Sequence, residues 1–243
     1  MPMLQGDLAP SRVAALVPAA GSGQRMGGPV PKPYQLLGGR EIVARTLDVV
    51  ESCEAIDDIW LVVSADQVDY CQRQVVERYG FQKVRGLVPG GAERQDSVWR
   101  GLQRVSPAVE LVVVHDGVRP FVTASLLHDT LYQARQHGAA IAAIPLKDTL
   151  KRVSSAGRVE ATLPRERLWR TKTPQAFRRT LLLEAFVHAR QQGLQMTDEA
   201  GLIEALGHPV HVVTGVEQNV KITTPDDLSL GERFVHADRL DGW

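Results

Sequence analysis

The strongest constraint on this chain is a short run with no polar residue, Val13-Ala14-Ala15-Leu16-Val17-Pro18, which ends in glycine-rich sequence. That pattern predicts a β-strand covered on both faces. Similar apolar-rich runs recur at Ile59–Ser64, Lys83–Val88, Leu111–His115, Ala139–Ile144 and Val210–Thr214, giving six expected strands. Amphipathic stretches of helical period lie between and after them, at Glu41–Glu51, Gln67–Tyr79, Glu93–Val105, Ala124–His137, Arg178–Gln192 and Asp198–Leu206. Strand alternating with helix predicts an α/β fold with a mostly parallel sheet and helices on both faces. Ligands of such sheets bind beyond the carboxyl ends of the strands, so the residues that follow each run carry the functional argument.

One segment departs from the alternation. Thr149–Val153 and Val159–Leu163 are β-prone pieces around Ser154-Ser155-Ala156-Gly157-Arg158, which predicts a hairpin arm over about residues 147–173. A lone hairpin is marginal in water, so the arm is expected to pack on a second subunit. With 243 residues the chain is expected to form a single domain, residues 1–243, burying on the order of 70% of its unfolded surface. Residues 1–12 are expected to be a flexible leader.

Charge excludes whole classes of partner. Twenty-eight basic and 28 acidic residues cancel to a formal charge of +0, which leaves no global field for nucleic acid or an anionic membrane. Any phosphate ligand must be gripped locally. Cys53 and Cys71 are too few for a disulfide framework and read as reduced thiols. No signal peptide or membrane span is recognisable, so a cytoplasmic protein is expected.

Three strand ends carry the chemistry. The first runs into Pro18-Ala19-Ala20-Gly21-Ser22-Gly23-Gln24-Arg25-Met26 and then Pro31-Lys32-Pro33. Glycines there present backbone N–H groups to phosphate oxygens, and Arg25 and Lys32 add side-chain charge. The spacing fits neither the P-loop nor the dinucleotide glycine pattern, since Lys32 precedes proline and Met26 stands at the third glycine. After the third strand, Pro89-Gly90-Gly91-Ala92-Glu93-Arg94-Gln95-Asp96-Ser97 reads either as a base-edge reader or as an ordinary helix start. The fourth ends in His115-Asp116-Gly117-Val118-Arg119-Pro120, where Asp116 suits Mg²⁺ or an ion pair with Arg119, roles that can coexist. Thr197 reads locally as the N-cap of the helix after it. His128, His137, His188, His208, His211 and His236 show no metal-ligand spacing and read as structural.

These motifs, with Lys147-Asp148-Thr149, Thr173-Pro174-Gln175, Thr197-Asp198-Glu199-Ala200 and Asn219-Val220-Lys221-Ile222-Thr223, resemble in their order the 2-C-methyl-D-erythritol 4-phosphate cytidylyltransferase family, over roughly Val13–Phe234. The resemblance implies a Rossmann-like nucleotidyltransferase fold, a homodimer joined through the arm, and Mg²⁺-dependent transfer of CMP from CTP to methylerythritol phosphate. It implies catalytic roles for Arg25, Lys32, Arg165 and Lys221. It implies substrate contacts by Asp116, Arg119, Thr149, Thr173 and Thr197, with Asp116 also near the metal. Ala19, Ala20, Gly21, Ser22, Gly23, Gly91, Ser97 and Gly117 match nucleotide-binding positions. The chain departs from the family pattern at Pro33, at Ala92 and at Gly117-Val118. Two rivals stand beside this reading. One is a cytidylyltransferase for another sugar-alcohol phosphate such as ribitol 5-phosphate, which Arg165, Thr173 and Thr197 as a set disfavour. The other is a silent nucleotide-binding protein of the same fold, against which Arg25, Lys32, Asp116 and Lys221 argue.

Overall fold

The computed structural model describes residues 12–21 and 30–241. Its centre is a seven-stranded sheet: β1 (Arg12–Pro18), β4 (Asp58–Val63), β5 (Val84–Pro89), β6 (Val109–Val114), β7 (Ala139–Pro145), β10 (Trp169–Arg178) and β11 (His211–Thr214). The strand order is β11-β7-β10-β6-β1-β4-β5. Six of these strands coincide with the six expected runs. The pairs β1–β4, β1–β6, β4–β5 and β7–β11 are parallel, and only β10 runs antiparallel to its neighbours β6 and β7.

The first strand shows why the apolar run has no alternation. Val13, Ala15 and Val17 face one core while Ala14 and Leu16 face the other. Helices α1 (Ile42–Ser52) and α4 (Ala124–His137) cover the first face with Val43, Leu47 and Val50 and with Leu127, Leu131 and Ala134. Helices α3 (Arg94–Leu102), α5 (Arg179–Gln192) and α6 (Glu199–Ala205) cover the second with Val98, Leu102, Leu182, Phe186 and Ile203. The stretch after β4 forms α2 (Val68–Cys71), which widens into a π-type turn over Gln72–Glu77. Local signals set the helix ends. Thr123 caps α4 by accepting from the Leu126 N–H at 3.2 Å, and Gly138, at φ +90°, ends it.

Two of the larger elements lie outside the expected runs. Strand β10 begins with exposed Trp169, Arg170 and Thr171, and its ladder is interrupted between Thr171 and Gln175, where Pro174 follows a cis peptide bond. A polar start and an internal proline hide the strand signal. The other is α7 (Pro225–Asp241), whose start is tied by Asp227, which accepts from the N–H groups of Thr223 and Thr224 at 2.9 and 2.8 Å. Its Val235 packs with Ile222, Val118, Leu37 and Ile42 in a third small core. Leu37 belongs to β2 (Leu36–Leu37), which pairs with β3 (Arg40–Glu41).

The arm is present. Strands β8 (Leu150–Val153) and β9 (Val159–Leu163) pair antiparallel with each other and with no strand of the main sheet, and Val153 and Val159 on them are exposed. Both cysteines are free and buried. No helix among the described residues is long and apolar enough to cross a membrane.

Candidate active site

A cleft of about 620 Å³ opens at the carboxyl ends of β1, β5 and β6. Pro18–Gly21, Gly91–Arg94, Ser97, Asp116, Lys221 and Thr223 line it, and Lys32 and Pro33 face it from a 3-10 turn. The strand tips are stitched to one another. The Ala19 N–H donates to Val62 O at 2.7 Å, Gly90 N–H to Val63 O at 2.8 Å and Gly117 N–H to Pro18 O at 2.9 Å. Those bonds hold three loops as one rigid rim around the opening.

The double glycine is required by crowding. A side chain at Gly90 would bring its Cβ to 2.4 Å from the Ala20 Cβ, and one at Gly91 would lie 2.3 Å from the Asp96 Cβ. Ser97 secures this turn by accepting from the Gly91 N–H at 3.0 Å while donating to Glu93 O at 3.1 Å. The serine hydroxyl is thus engaged in shaping the rim. Pro33 sits at the start of its 3-10 turn, where a missing N–H is tolerated.

The electrostatic centre is Asp116, 5% exposed. Its Oδ2 receives Lys221 Nζ at 2.9 Å and Arg119 Nε at 3.4 Å, and its Oδ1 receives Arg94 Nε at 3.2 Å. Burial pushes the carboxyl pKa up, but Arg94, Lys221 and Arg119 together outweigh it and hold the group well below the usual carboxylate range. The Arg94 fork continues to Glu199, with two bonds of 2.7 and 3.0 Å. Burial raises the pKa of Glu199 against the pull of Arg94. Three cations therefore face two carboxylates, a net positive centre before Lys32 is counted.

Beneath Asp116 lies a neutral scaffold. The Asp116 N–H donates to Thr173 Oγ1 at 3.1 Å, and that hydroxyl meets His115 Nδ1 at 3.1 Å. The opposite ring nitrogen, Nε2, lies 3.1 Å from Arg119 O. Burial drives the His115 pKa down to about 4, so the imidazole is neutral, with Nδ1 accepting from Thr173 and Nε2 donating to Arg119 O.

The structure sorts the expected residues into three groups. Ala19, Ala20, Gly21, Lys32, Gly91, Ser97, Asp116 and Lys221 line the cleft together. Gly117, Arg119 and Thr173 support it from below: Gly117 O accepts from Thr46 Oγ1 at 3.0 Å, and Arg119 Nη1 donates to Asn219 O at 3.1 Å. Thr149, Arg165 and Thr197 do not line it. Thr149 is exposed at the base of the arm, and Arg165 bonds the Lys147 carbonyl within the arm. Thr197 is exposed, and the N-cap of α6 is Asp198, which accepts from the Gly201 N–H at 3.1 Å, one position beyond the expected cap. Arg25, Ser22 and Gly23, and residues 1–11 of the expected leader, lie outside the described residues.

Arg94, Glu199, His115 and Asn219 stand inside the motifs read from sequence, but the sequence assigns none of them a role of its own. Arg94 opens a helix after a glycine turn, which is a local signal, but its partners are 22 and 105 positions away. Among the described residues no group of three His, Cys, Asp or Glu side chains can hold a metal ion unaided. A hard divalent ion at Asp116 would take most of its oxygens from a phosphate ligand, since both carboxylate oxygens already meet Lys221, Arg119 and Arg94.

Local positive charge under a backbone rim, at the strand tips of a mostly parallel sheet, defines a phosphate-handling α/β protein. Its membership is narrower than that. Residues 13–237 match the sequence model of the 2-C-methyl-D-erythritol 4-phosphate cytidylyltransferase family, and the chain belongs to that family. A 2-C-methyl-D-erythritol 4-phosphate cytidylyltransferase of Geobacter metallireducens is 47% identical over 226 residues, covering 92% of this chain and 97% of that protein. A bifunctional IspD/IspF enzyme of Desulforudis audaxviator is 49% identical over 221 residues, 91% of this chain but 56% of the longer relative. Among solved structures, the 4-diphosphocytidyl-2C-methyl-D-erythritol synthase of Anaerococcus prevotii superposes with a TM-score of 0.82 at 33% identity, over 93% of this chain and 96% of that one.

Proposed function

We infer that this protein transfers the CMP group of CTP to 2-C-methyl-D-erythritol 4-phosphate, releasing pyrophosphate and forming 4-diphosphocytidyl-2-C-methyl-D-erythritol in the non-mevalonate route to isoprenoids. The observation that carries it is the cleft itself: a backbone rim for a nucleotide beside an Asp116–Lys221–Arg94–Arg119 centre, in a chain of this family.

The residues divide the work. Ala19, Ala20, Gly21 and the Gly91–Ser97 turn take the nucleoside and its phosphates, a role the family pattern extends to Ser22 and Gly23. A pocket that reads a base by hydrogen bonds rejects the wrong base because its own polar groups are left unpaired. Lys32 and Arg25 neutralise charge that gathers on the α-phosphoryl oxygens and the departing pyrophosphate. Lys221 and Arg165 orient the acceptor phosphate in line with the α-phosphorus. That phosphate is already ionised, so the step needs no general base. Asp116 would hold a divalent cation, Mg²⁺ by its oxygen preference, jointly with the triphosphate; bound there, the ion supplies further charge neutralisation.

Arg165 and Thr149 reach the acceptor from the arm of a second copy. What supports this is that neither lines the cleft of its own chain and that the arm pairs with no strand of its own sheet. The homodimer places each arm over its neighbour's acceptor pocket, where Thr173, Arg119 and Thr197 complete it. Dependence on CTP and two reduced thiols suit a cytoplasmic enzyme.

Pyrophosphate release with CTP and Mg²⁺ tests the reading. Release with methylerythritol phosphate, and not with ribitol 5-phosphate or without acceptor, is the expected result. Release with ribitol 5-phosphate alone reassigns the acceptor, and none with either acceptor overturns catalysis in favour of silent nucleotide binding.

A further inference from the structure

Lys172 takes part in none of the steps above, yet it is a lysine only 8% exposed in the middle of β10. Its ammonium sits in a cage of three backbone carbonyls on the loop after β11: Val216 O at 3.3 Å, Glu217 O at 3.1 Å and Asn219 O at 3.1 Å. Three N–H donors thus meet three acceptors. The Asn219 side chain returns the tie, its Nδ2 donating to Thr173 O at 2.8 Å. Two residues further on, Lys221 reaches Asp116 at 2.9 Å. The loop that delivers Lys221 to the cleft is therefore gathered from beneath by the buried Lys172, with Arg119 Nη1 sharing the Asn219 carbonyl at 3.1 Å.

We propose that Lys172 is a positioning residue for the acceptor phosphate, setting the reach of Lys221 by drawing the carbonyls of Val216, Glu217 and Asn219 together. The proposal rests on the reading that Lys221 serves the acceptor. A charge is needed because three converging carbonyls repel one another unless a cation lies between them. A neutral amine keeps two N–H groups and turns a lone pair toward the third carbonyl, which releases one strand of the cage.

That state is accessible. Burial first, then Arg119, pushes the Lys172 pKa down to about 8, while Glu217 pulls it up and Arg170 lowers it further. The groups facing it do not titrate in the same range. Arg119 remains a cation, and Glu217, where desolvation raises the pKa but Arg170 and then Lys147 together lower it further, remains an anion. His115, pushed down to about 4, is neutral throughout.

Steady-state kinetics between pH 7 and pH 9.5, with CTP and methylerythritol phosphate varied in turn, tests the proposal. For the wild-type chain, KM for the acceptor rises roughly tenfold above pH 8, about the worth of one charge-assisted hydrogen bond, while KM for CTP stays level. Lys172→Arg, still charged at pH 9.5, keeps a low acceptor KM and loses the alkaline rise. Lys172→Met shows a raised acceptor KM at every pH with no step. An alkaline rise retained in Lys172→Arg, a wild-type acceptor KM in Lys172→Met, or a parallel rise in KM for CTP overturns the proposal. If Lys172→Met does not fold, the wild-type and Lys172→Arg profiles decide between the outcomes. No transfer by the wild-type chain overturns the functional reading and this inference with it; transfer with an acceptor KM indifferent to pH overturns only the inference.

Discussion

At the residue scale the sharpest expectation belongs to Lys32, through the phosphate-side role proposed for it. Lys32 faces the cleft from a turn that packs through Pro33 and Tyr34, so Lys32→Ala leaves the core intact while removing one preorganised cation. Turnover should fall by roughly 10²–10³ with little change in fold, and near-normal turnover would remove Lys32 from the mechanism. His115 makes a different prediction, about stability. Its folded pKa of about 4 lies below the ordinary 6.5, so between those values the unfolded chain binds a proton that the folded chain refuses. Stability is full above pH 6.5 and declines as pH falls toward 4, by about 3 kcal/mol from this group. Denaturation midpoints of the nucleotide-free protein at pH 7 and pH 4.5 should show the loss, and His115→Gln should reduce it.

At the scale of elements, the rim and α6 are the parts whose geometry is exacting. Gly90→Ala would drive a methyl to 2.4 Å from Ala20 and 2.9 Å from Ser97 Oγ, so the first and second loops must part. The expected result is a loss of about 1–3 kcal/mol of stability together with a raised KM for CTP, measured by denaturation and initial rates. Asp198 joins α6 to β10, capping Gly201 N–H with one oxygen and accepting from Gln175 Nε2 at 2.9 Å with the other. Asp198→Ala should cost about 1–2 kcal/mol, and Thr197→Ala much less, since the cap belongs to Asp198. Equal losses from the two substitutions would return the cap to Thr197.

For the whole molecule the question is how many chains make one site. The arm carries Thr149 and Arg165 away from the cleft that Lys32 and Lys221 line. An Arg165→Ala homodimer and a Lys32→Ala homodimer should each be nearly inactive, whereas their verified heterodimer holds one intact site and should recover up to about half of the wild-type activity per site pair, as expected for an isologous pairing. No recovery in the heterodimer would mean that each site is built from one chain.

Most of the architecture was legible because burial on both faces leaves a direct trace in sequence: Val13–Pro18 has no polar residue, and all six apolar runs became strands of one sheet. The glycine turn at Gly90-Gly91 and the aspartate at a strand tip were legible for the same reason, since backbone crowding and a charge after an apolar run are local events. The sequence thus determined the fold class, the loops that form the cleft and the family that their order resembles. Strand β10 escaped because Arg170, Lys172 and Pro174 interrupt its alternation, and helix α7 because it is only weakly amphipathic. What only the tertiary structure decided is the charge network: Arg94 with Glu199, Lys172 with three carbonyls, and His115 with Thr173 are partners between 44 and 105 positions apart. Electrostatic pairing depends on distance in space and on the water excluded between the partners, and neither quantity is written along the chain.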